Sequence, residues 1–250
     1  MVVGSACGAI VTVVGLLVYF RQAWLPPRTS SLDGDVPHHI KAYVHHAIAR
    51  ALRDPVGRPD LALYSDGGRV LPGLTSTVQD EEVFSIPTLS LTDDTRIGEC
   101  WNISGTTAQL GIKLAHGASL THVTIDHIPK EIAMDIGCAP RSMLLWGAID
   151  GRENRLKLEE AIKNHNFSVP ASLGRSQPLL RLNFDFALLA SIEYDISSPS
   201  NIQTFALEQY AVQSGVHIGV VVLEILDNWG GERTFLYRVR IHGELAPPPA

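Results

Sequence analysis

Gln109-Leu-Gly-Ile-Lys-Leu-Ala115 alternates apolar and polar residues with a period of two, the spacing at which successive side chains leave a pleated strand on opposite faces. It predicts a half-buried antiparallel strand. Arg181-Leu-Asn-Phe-Asp-Phe186 repeats the pattern, with Leu182, Phe184 and Phe186 on one face. Working outward, Val123–Ile128, Met143–Ile149, Ile202–Leu207, Gly219–Leu226 and Thr234–Ile241 are further short β-rich runs bounded by Gly, Pro, Asn or Asp. Upstream, Val36, Ile40, Val44, Ala47, Ile48 and Ala51 recur every three or four residues until Asp54-Pro55, which predicts an amphipathic helix over 36–53. So many strands after a single helix give a mainly β fold, an antiparallel β-sandwich.

Before that helix, Val2–Phe20 runs for nineteen residues without a charge, about 29 Å as a helix and roughly the hydrocarbon thickness of a bilayer. Tyr19 and Trp24 fall at its end, where amphipathic rings favour the headgroup level. Residues 1–24 are therefore expected to be a transmembrane anchor and 25–35, rich in Pro, Ser and Asp, a linker. A cleaved signal peptide and a buried core helix are the alternatives. The absence of a basic n-region and of a small-residue cleavage pattern favours the anchor.

Across 250 residues, 45% apolar and 18% charged, the composition excludes a disordered tail, a collagen-like repeat and a coiled-coil rod. A net charge of −6 with no basic cluster argues against a nucleic-acid partner. Cys7, Cys100 and Cys138 are too few for a disulfide scaffold and lack zinc-site spacing. His38, His39, His45 and His46 form pairs seven apart, a solvated helix face rather than a metal site. No G-x-S-x-G elbow, Walker loop, H-E-x-x-H or dinucleotide fingerprint points to an enzyme.

Several blocks carry a resemblance: Asp60-Leu-Ala-Leu-Tyr-Ser-Asp-Gly-Gly-Arg-Val70, Gly98-Glu-Cys-Trp101, Val123-Thr-Ile-Asp-His-Ile128, Cys138-Ala-Pro-Arg141, Ile202-Gln-Thr-Phe205, Asn228-Trp-Gly230 and Leu236-Tyr-Arg-Val-Arg-Ile-His-Gly243. In this order and spacing they resemble a SUN domain over about 36–243, with the first block most like fungal members. The resemblance assigns 54–243 to the domain and leaves 244–250 as a Pro-rich tail. It implies a homotrimeric, discoidin-like β-sandwich on a single-pass protein of the inner nuclear membrane. The domain would face the perinuclear space and bind the C-terminal tail of a KASH protein, forming a LINC bridge between nucleus and cytoskeleton. Only 36–53 offers a coiled-coil-like segment for trimerisation, without sustained heptads. A lumenal or secreted discoidin-like carbohydrate-binding module is the competing reading.

The same resemblance places the pocket for the peptide's terminal carboxylate on His127, Cys138 and Tyr237. Tyr hydroxyls and His rings are suitable donors, and a thiol is a weaker one than the Ser usual there. Arg233 stands where the family has a second tyrosine and reads either as a bidentate cation for the carboxylate or as a solvated loop residue. A cation loop falls on 89–99, where a monovalent ion such as K+ would be held mainly by backbone carbonyls with Asp94 and Glu99 nearby. The alternative there is an Asp-rich surface turn. By the same resemblance two disulfides of animal relatives are missing, since Phe235 stands at the position that would bridge to Cys100 and Thr75 at the lid position that bonds the KASH peptide, and a Cys100–Cys138 pair stays open. The lid, 73–88, is short with an acidic tip at Asp80-Glu-Glu82. Asn102-Ile-Ser104 and Asn166-Phe-Ser168 are sequons, usable only in a lumenal domain. The tail Ala246-Pro-Pro-Pro-Ala250 itself resembles the family's peptide ligand.

Overall fold

The computed structural model describes residues 37, 39–44, 56–77 and 86–245. The anchor, the linker, most of 36–53, the lid tip at 78–85 and the 246–250 tail lie outside the described residues. Among the described residues no helix is long and apolar enough to cross a membrane. The chain divides into two units, Met1–Pro55 and Val56–Ala250. In the first, residues 39–44 are helical with Ile40, Tyr43 and Val44 exposed.

The second unit is mainly β and antiparallel, as expected. Its strands are β1 (Arg69–Val70), β2 (Trp101–Ser104), β3 (Ala108–Asp126), β4 (Ser142–Ile149), β5 (Asp185–Glu193), β6 (Ile202–Ala206), β7 (His217–Ile225), β8 (Arg233–Leu236) and β9 (Arg238–Leu245). The alternating stretch from Gln109 is the start of a 19-residue strand, which also absorbs the run expected separately from Val123. Its register is interrupted between Lys113 and Ala118, and such an irregularity bends a strand. β1 pairs with β3 before the interruption, β7 pairs on both sides of it as far as Ser119–His217, and β9 and β6 pair only beyond it. One layer therefore runs β1-β3-β7-β4-β5 and continues through β3 into a second. Their inner faces share one core, including Leu110, Ile112, Val123, Ile125, Met143, Leu145, Leu223, Val239 and Ile241. β2 and β8 form a separate two-stranded sheet.

Three expectations need correction. Two helices follow the first strands, α1 (Arg152–His165) and α2 (Gln209–Gln213). In α1 the Leu158 and Ala161 side chains meet the main core, while the Glu153–Lys157 pair lies on the outside. The run from Arg181 is a strand only from Asp185, because Leu182 is left-handed (φ 50°) and Phe184 N–H closes a turn on the Arg181 carbonyl at 3.1 Å. The run from Thr234 is broken at Tyr237, where the chain leaves the small sheet for the large one.

Both outer faces of the large sheet are partly covered. On the first layer Leu144, Trp146, Ala148, Phe186, Leu188 and Val222 form a second apolar cluster with Leu74. Segment 166–184 lies over it as a strap and is tied down by polar side chains. Gln109 bonds both backbone groups of Leu180 (3.0 and 2.6 Å), and Gln177 both groups of Phe186 (2.8 and 3.0 Å). Arg175 pairs with the buried Glu224 at 2.6 Å, and Glu224 also accepts the Trp146 indole N–H at 3.0 Å. On the second layer Thr124 and Asp126 face Arg238, Arg240 and His242, all buried. Charges so placed need partners. Asp126 takes Arg240, and Asp60 takes Arg238 at 2.9 Å. His242 Nδ1–H donates to the Pro59 carbonyl at 2.7 Å, which leaves Nε2 to accept the Thr124 hydroxyl at 2.8 Å.

Candidate functional site

A cavity of about 250 Å³ opens where the small sheet meets the end of β3. Four pieces of chain wall it: Ile97, Gly98 and Cys100 before β2; Asn102 on β2; His127 and Ile128 after β3 with Ala133, Met134 and Asp135 beyond; and Phe235 and Tyr237 flanking the β8–β9 break. Its rim is apolar and open, with Met134 99% exposed and Ile97 also facing solvent. Exposed apolar groups gathered at one mouth are the mark of a binding surface. Ile128 is shared with an adjoining cavity of about 310 Å³, lined also by Pro129, Lys130, Ile136, Tyr194 and Asn201.

Two of the expected carboxylate-binding residues meet in the floor. The rings of His127 and Tyr237 are 4.8 Å apart, edge to face, and both are buried. The Tyr237 hydroxyl accepts the Gly98 N–H at 3.5 Å and donates to the Cys100 thiol. A thiol is a weak acceptor, so the hydroxyl proton is available to a better one. Burial pushes the Tyr237 hydroxyl up and the Cys100 thiol up to about 11, so both are neutral near pH 7. His127 Nδ1–H donates to the Ile128 carbonyl at 3.0 Å, and Asn201 Nδ2 holds the His127 carbonyl. Nε2 of the same ring is buried without a partner among the described residues.

The other expected residues lie elsewhere. Cys138 ends the turn Ile136–Cys138 and donates its thiol to Asp135 at 3.4 Å, so it reaches the cavity only through that carboxylate. Arg233 begins β8 opposite Ser104 and does not line the cavity. Its backbone is fixed by Asn228, whose side-chain amide donates to the carbonyls of Gly231 and Arg233 at 2.9 Å each. A side chain at Gly231 would place Cβ within 2.7 Å of Cys138 Sγ and 2.8 Å of its backbone nitrogen, which explains the glycine there. Cys100 and Cys138 are both buried and are not joined in a disulfide.

In the loop 89–99, Asp94 is engaged by Arg96 through Nε and Nη2. The guanidinium holds that carboxyl below its usual range. Glu99 is half-buried, and no group of three or more His, Cys, Asp or Glu able to hold a metal ion occurs among the described residues. Thr75 is buried against β3, donating to the Leu71 carbonyl at 2.8 Å and accepting the Gly111 N–H at 3.1 Å. Of the two sequon asparagines, Asn102 lines the cavity, whereas Asn166 is the exposed, left-handed C-cap of α1 (φ 48°).

The apolar walls Ile97, Ala133 and Met134 and the acidic Asp135 were not anticipated. They lie on irregular segments whose sequence has no period, and only the closure of the small sheet brings them together.

Burial lowers the proton affinity of both His127 and His242. Their folded pKa values thus lie below the unfolded value of about 6.5, and between the two the unfolded chain binds more protons. Stability is therefore full above about pH 6.5 and declines as pH falls beneath it, by at most about 1.4 kcal/mol per pH unit for each histidine. The urea midpoint should drop between pH 7.5 and 5.5; an unchanged midpoint would contradict this assignment.

The profile of the family described as Sad1 / UNC-like C-terminal matches residues 84–169 and 166–245. Human SUN domain-containing protein 5 is 27% identical over 212 residues, covering 78% of this chain and 46% of the relative. Nuclear migration and anchoring protein unc-84 of Caenorhabditis elegans is 23% identical over 228 residues, covering 83% of this chain and 17% of its own length. The chain thus spans less than half of either relative. Among solved structures, the family 32 carbohydrate-binding module of Streptococcus pneumoniae EndoD aligns with a TM-score of 0.49 at 9% identity, covering 74% of this chain and all of that module. With the profile running from 84 to 245, the chain belongs to the Sad1 / UNC-like C-terminal family of SUN domains.

Proposed function

We propose that this chain is a fungal-type SUN-domain component of a LINC-type bridge. It captures the C-terminal tail of a KASH protein in the perinuclear space and is moored in the inner nuclear membrane through Val2–Phe20. The observation that carries this reading is the cavity floored by His127 and Tyr237. It offers a donor hydroxyl and an imidazole inside apolar walls, the chemistry for a peptide end that is charged at its carboxylate and apolar in its last side chains. The adjoining cavity across Ile128 gives room for the residues upstream. Self-association into a homotrimer belongs to the same reading, as does the absence of catalysis.

The test is binding of the full chain to a peptide ending in Pro-Pro-Pro-Leu with a free carboxyl terminus, against the same peptide truncated by those four residues. Binding should require them. Tyr237→Phe keeps the ring and removes the hydroxyl; losing one hydrogen bond to a charged group should weaken binding about 10- to 100-fold. Unchanged affinity would remove Tyr237 from the site. The lumenal placement has its own readout: Asn166 should carry a glycosidase-sensitive glycan in cells, and the mass shift should vanish in Asn166→Gln.

A further inference from the structure

The geometry points to a carboxylate receptor that must take up a proton to work: the peptide's terminal carboxylate enters the cavity together with one proton from solvent, which settles on Nε2 of His127. This inference rests on the reading of the cavity as a peptide-terminus site.

The argument starts with the ring's fixed tautomer. A carbonyl can only accept, so the bond to Ile128 at 3.0 Å requires the proton on Nδ1. In the neutral ring Nε2 then carries a bare lone pair, and this nitrogen is the one left buried and unpartnered in a residue only 2% exposed. A lone pair repels a carboxylate oxygen. Turning the ring over does not help, because it would break the Ile128 bond. With a proton on Nε2, the same nitrogen becomes a charged donor and the ring keeps both hydrogen bonds.

The charge inventory leads to the same place. The side chains lining the cavity include no lysine or arginine. The titratable groups facing His127 are Tyr237 and Cys100, both neutral near pH 7, Asp135 in the lining, and Tyr194, whose ring centroid is 6.2 Å away. The adjoining cavity adds Lys130, Glu131 and Asp195 at the shared wall. Asp135, exposed at the mouth, is committed to the Gly137 N–H at 2.8 Å and the Cys138 thiol, so a second carboxylate would enter past an acidic group and find no cation on the floor. Burying a carboxylate on that floor without a counter-charge is costly. A proton on His127 supplies that counter-charge. In the empty protein burial keeps the ring neutral at pH 7, so the proton arrives with the ligand.

Linkage gives the size of the effect. Between the ring's empty and occupied pKa values, one proton taken up per ligand bound makes the affinity fall about tenfold for each pH unit of increase. A ligand that brings its own donor, such as the same peptide with a C-terminal carboxamide, satisfies the neutral Nε2 directly and should bind with no pH slope and no proton uptake.

The experiment is titration calorimetry of the full chain with a Pro-Pro-Pro-Leu-terminated peptide, free acid and carboxamide, between pH 6.5 and 8, in buffers of low and high ionisation enthalpy. Uptake approaching one proton at pH 7.5 for the free acid, with affinity falling as pH rises, is the expected result. His127→Gln, whose amide donates without titrating, should bind the free acid with a flat profile, its folding checked by thermal unfolding. Free-acid binding with no proton uptake and no pH slope would overturn the inference while leaving the peptide site intact. No binding of either peptide at any pH would overturn both.

Discussion

Asp126→Ala should cost about 3–5 kcal/mol of unfolding free energy, as expected when one partner of a buried ion pair is deleted and the other charge stays behind. Asp126 and Arg240 have side-chain exposures of only 2% and 5% and meet through Nε at 2.9 Å and through Nη2. The residual guanidinium could reach water only by opening the sheet, since Arg240 lies opposite Thr124 in the β3–β9 ladder. The double replacement Asp126→Leu with Arg240→Met removes both charges and should be far milder, close to neutral or even stabilising. Urea unfolding of the three proteins separates the cases. Equal losses in single and double variants would mean that packing at these positions, not charge, sets the cost.

Trp146→Ala should be nearly as damaging, at about 3–5 kcal/mol for a fully buried large aromatic. Trp146 is the largest member of the cluster beneath the strap, and its indole N–H supplies one of the two bonds that hold Glu224. Trp146→Phe retains most of the apolar volume but leaves a Glu224 oxygen without that donor, and should cost about 1–3 kcal/mol. Because Arg175 reaches the strap's anchoring carboxylate, both variants should also loosen 166–184. Limited proteolysis at Arg175 and Arg181 reports that separately. If the alanine variant is destabilised while cleavage there stays as slow as in the parent, the strap is secured by Gln109 and Gln177 alone.

Much of this architecture could be read from the chain, and the exceptions share a cause. The alternation from Gln109 to Ala115 is a true strand because its apolar residues line a shared core. The similar alternation at Leu182 and Phe184 is not, because a left-handed residue turns the chain there and leaves both rather exposed. Period-two patterning also marks Thr124, Asp126, Arg240 and His242 as the wet face of their strands. The structure buries them, pairing Asp126 with Arg240 and tying His242 to the Pro59 carbonyl, partners far away in sequence. At the site, the matched blocks point to His127, Cys138, Arg233 and Tyr237 alike, and the structure brings only His127 and Tyr237 together at one cavity. Proximity in a motif does not say which side of a turn a side chain leaves, and the turn at Ile136–Cys138 sends the thiol to Asp135. Helix α1 carries little apolar periodicity, because its charged residues outnumber the few that touch the core.

The length of β3 also governs how the domain can be made. Its first half waits for β7 and its second for β9, with Val123 finding its neighbour only at Ile241. On the ribosome, the strand emerges long before either companion, and of its strand partners only the two residues of β1 are already made. Such non-local pairing is slow and invites association with other nascent chains. The polypeptide therefore depends on protection during synthesis until β9 has left the exit tunnel, and releasing it stalled before Arg238 should yield an aggregate rather than a half-built domain.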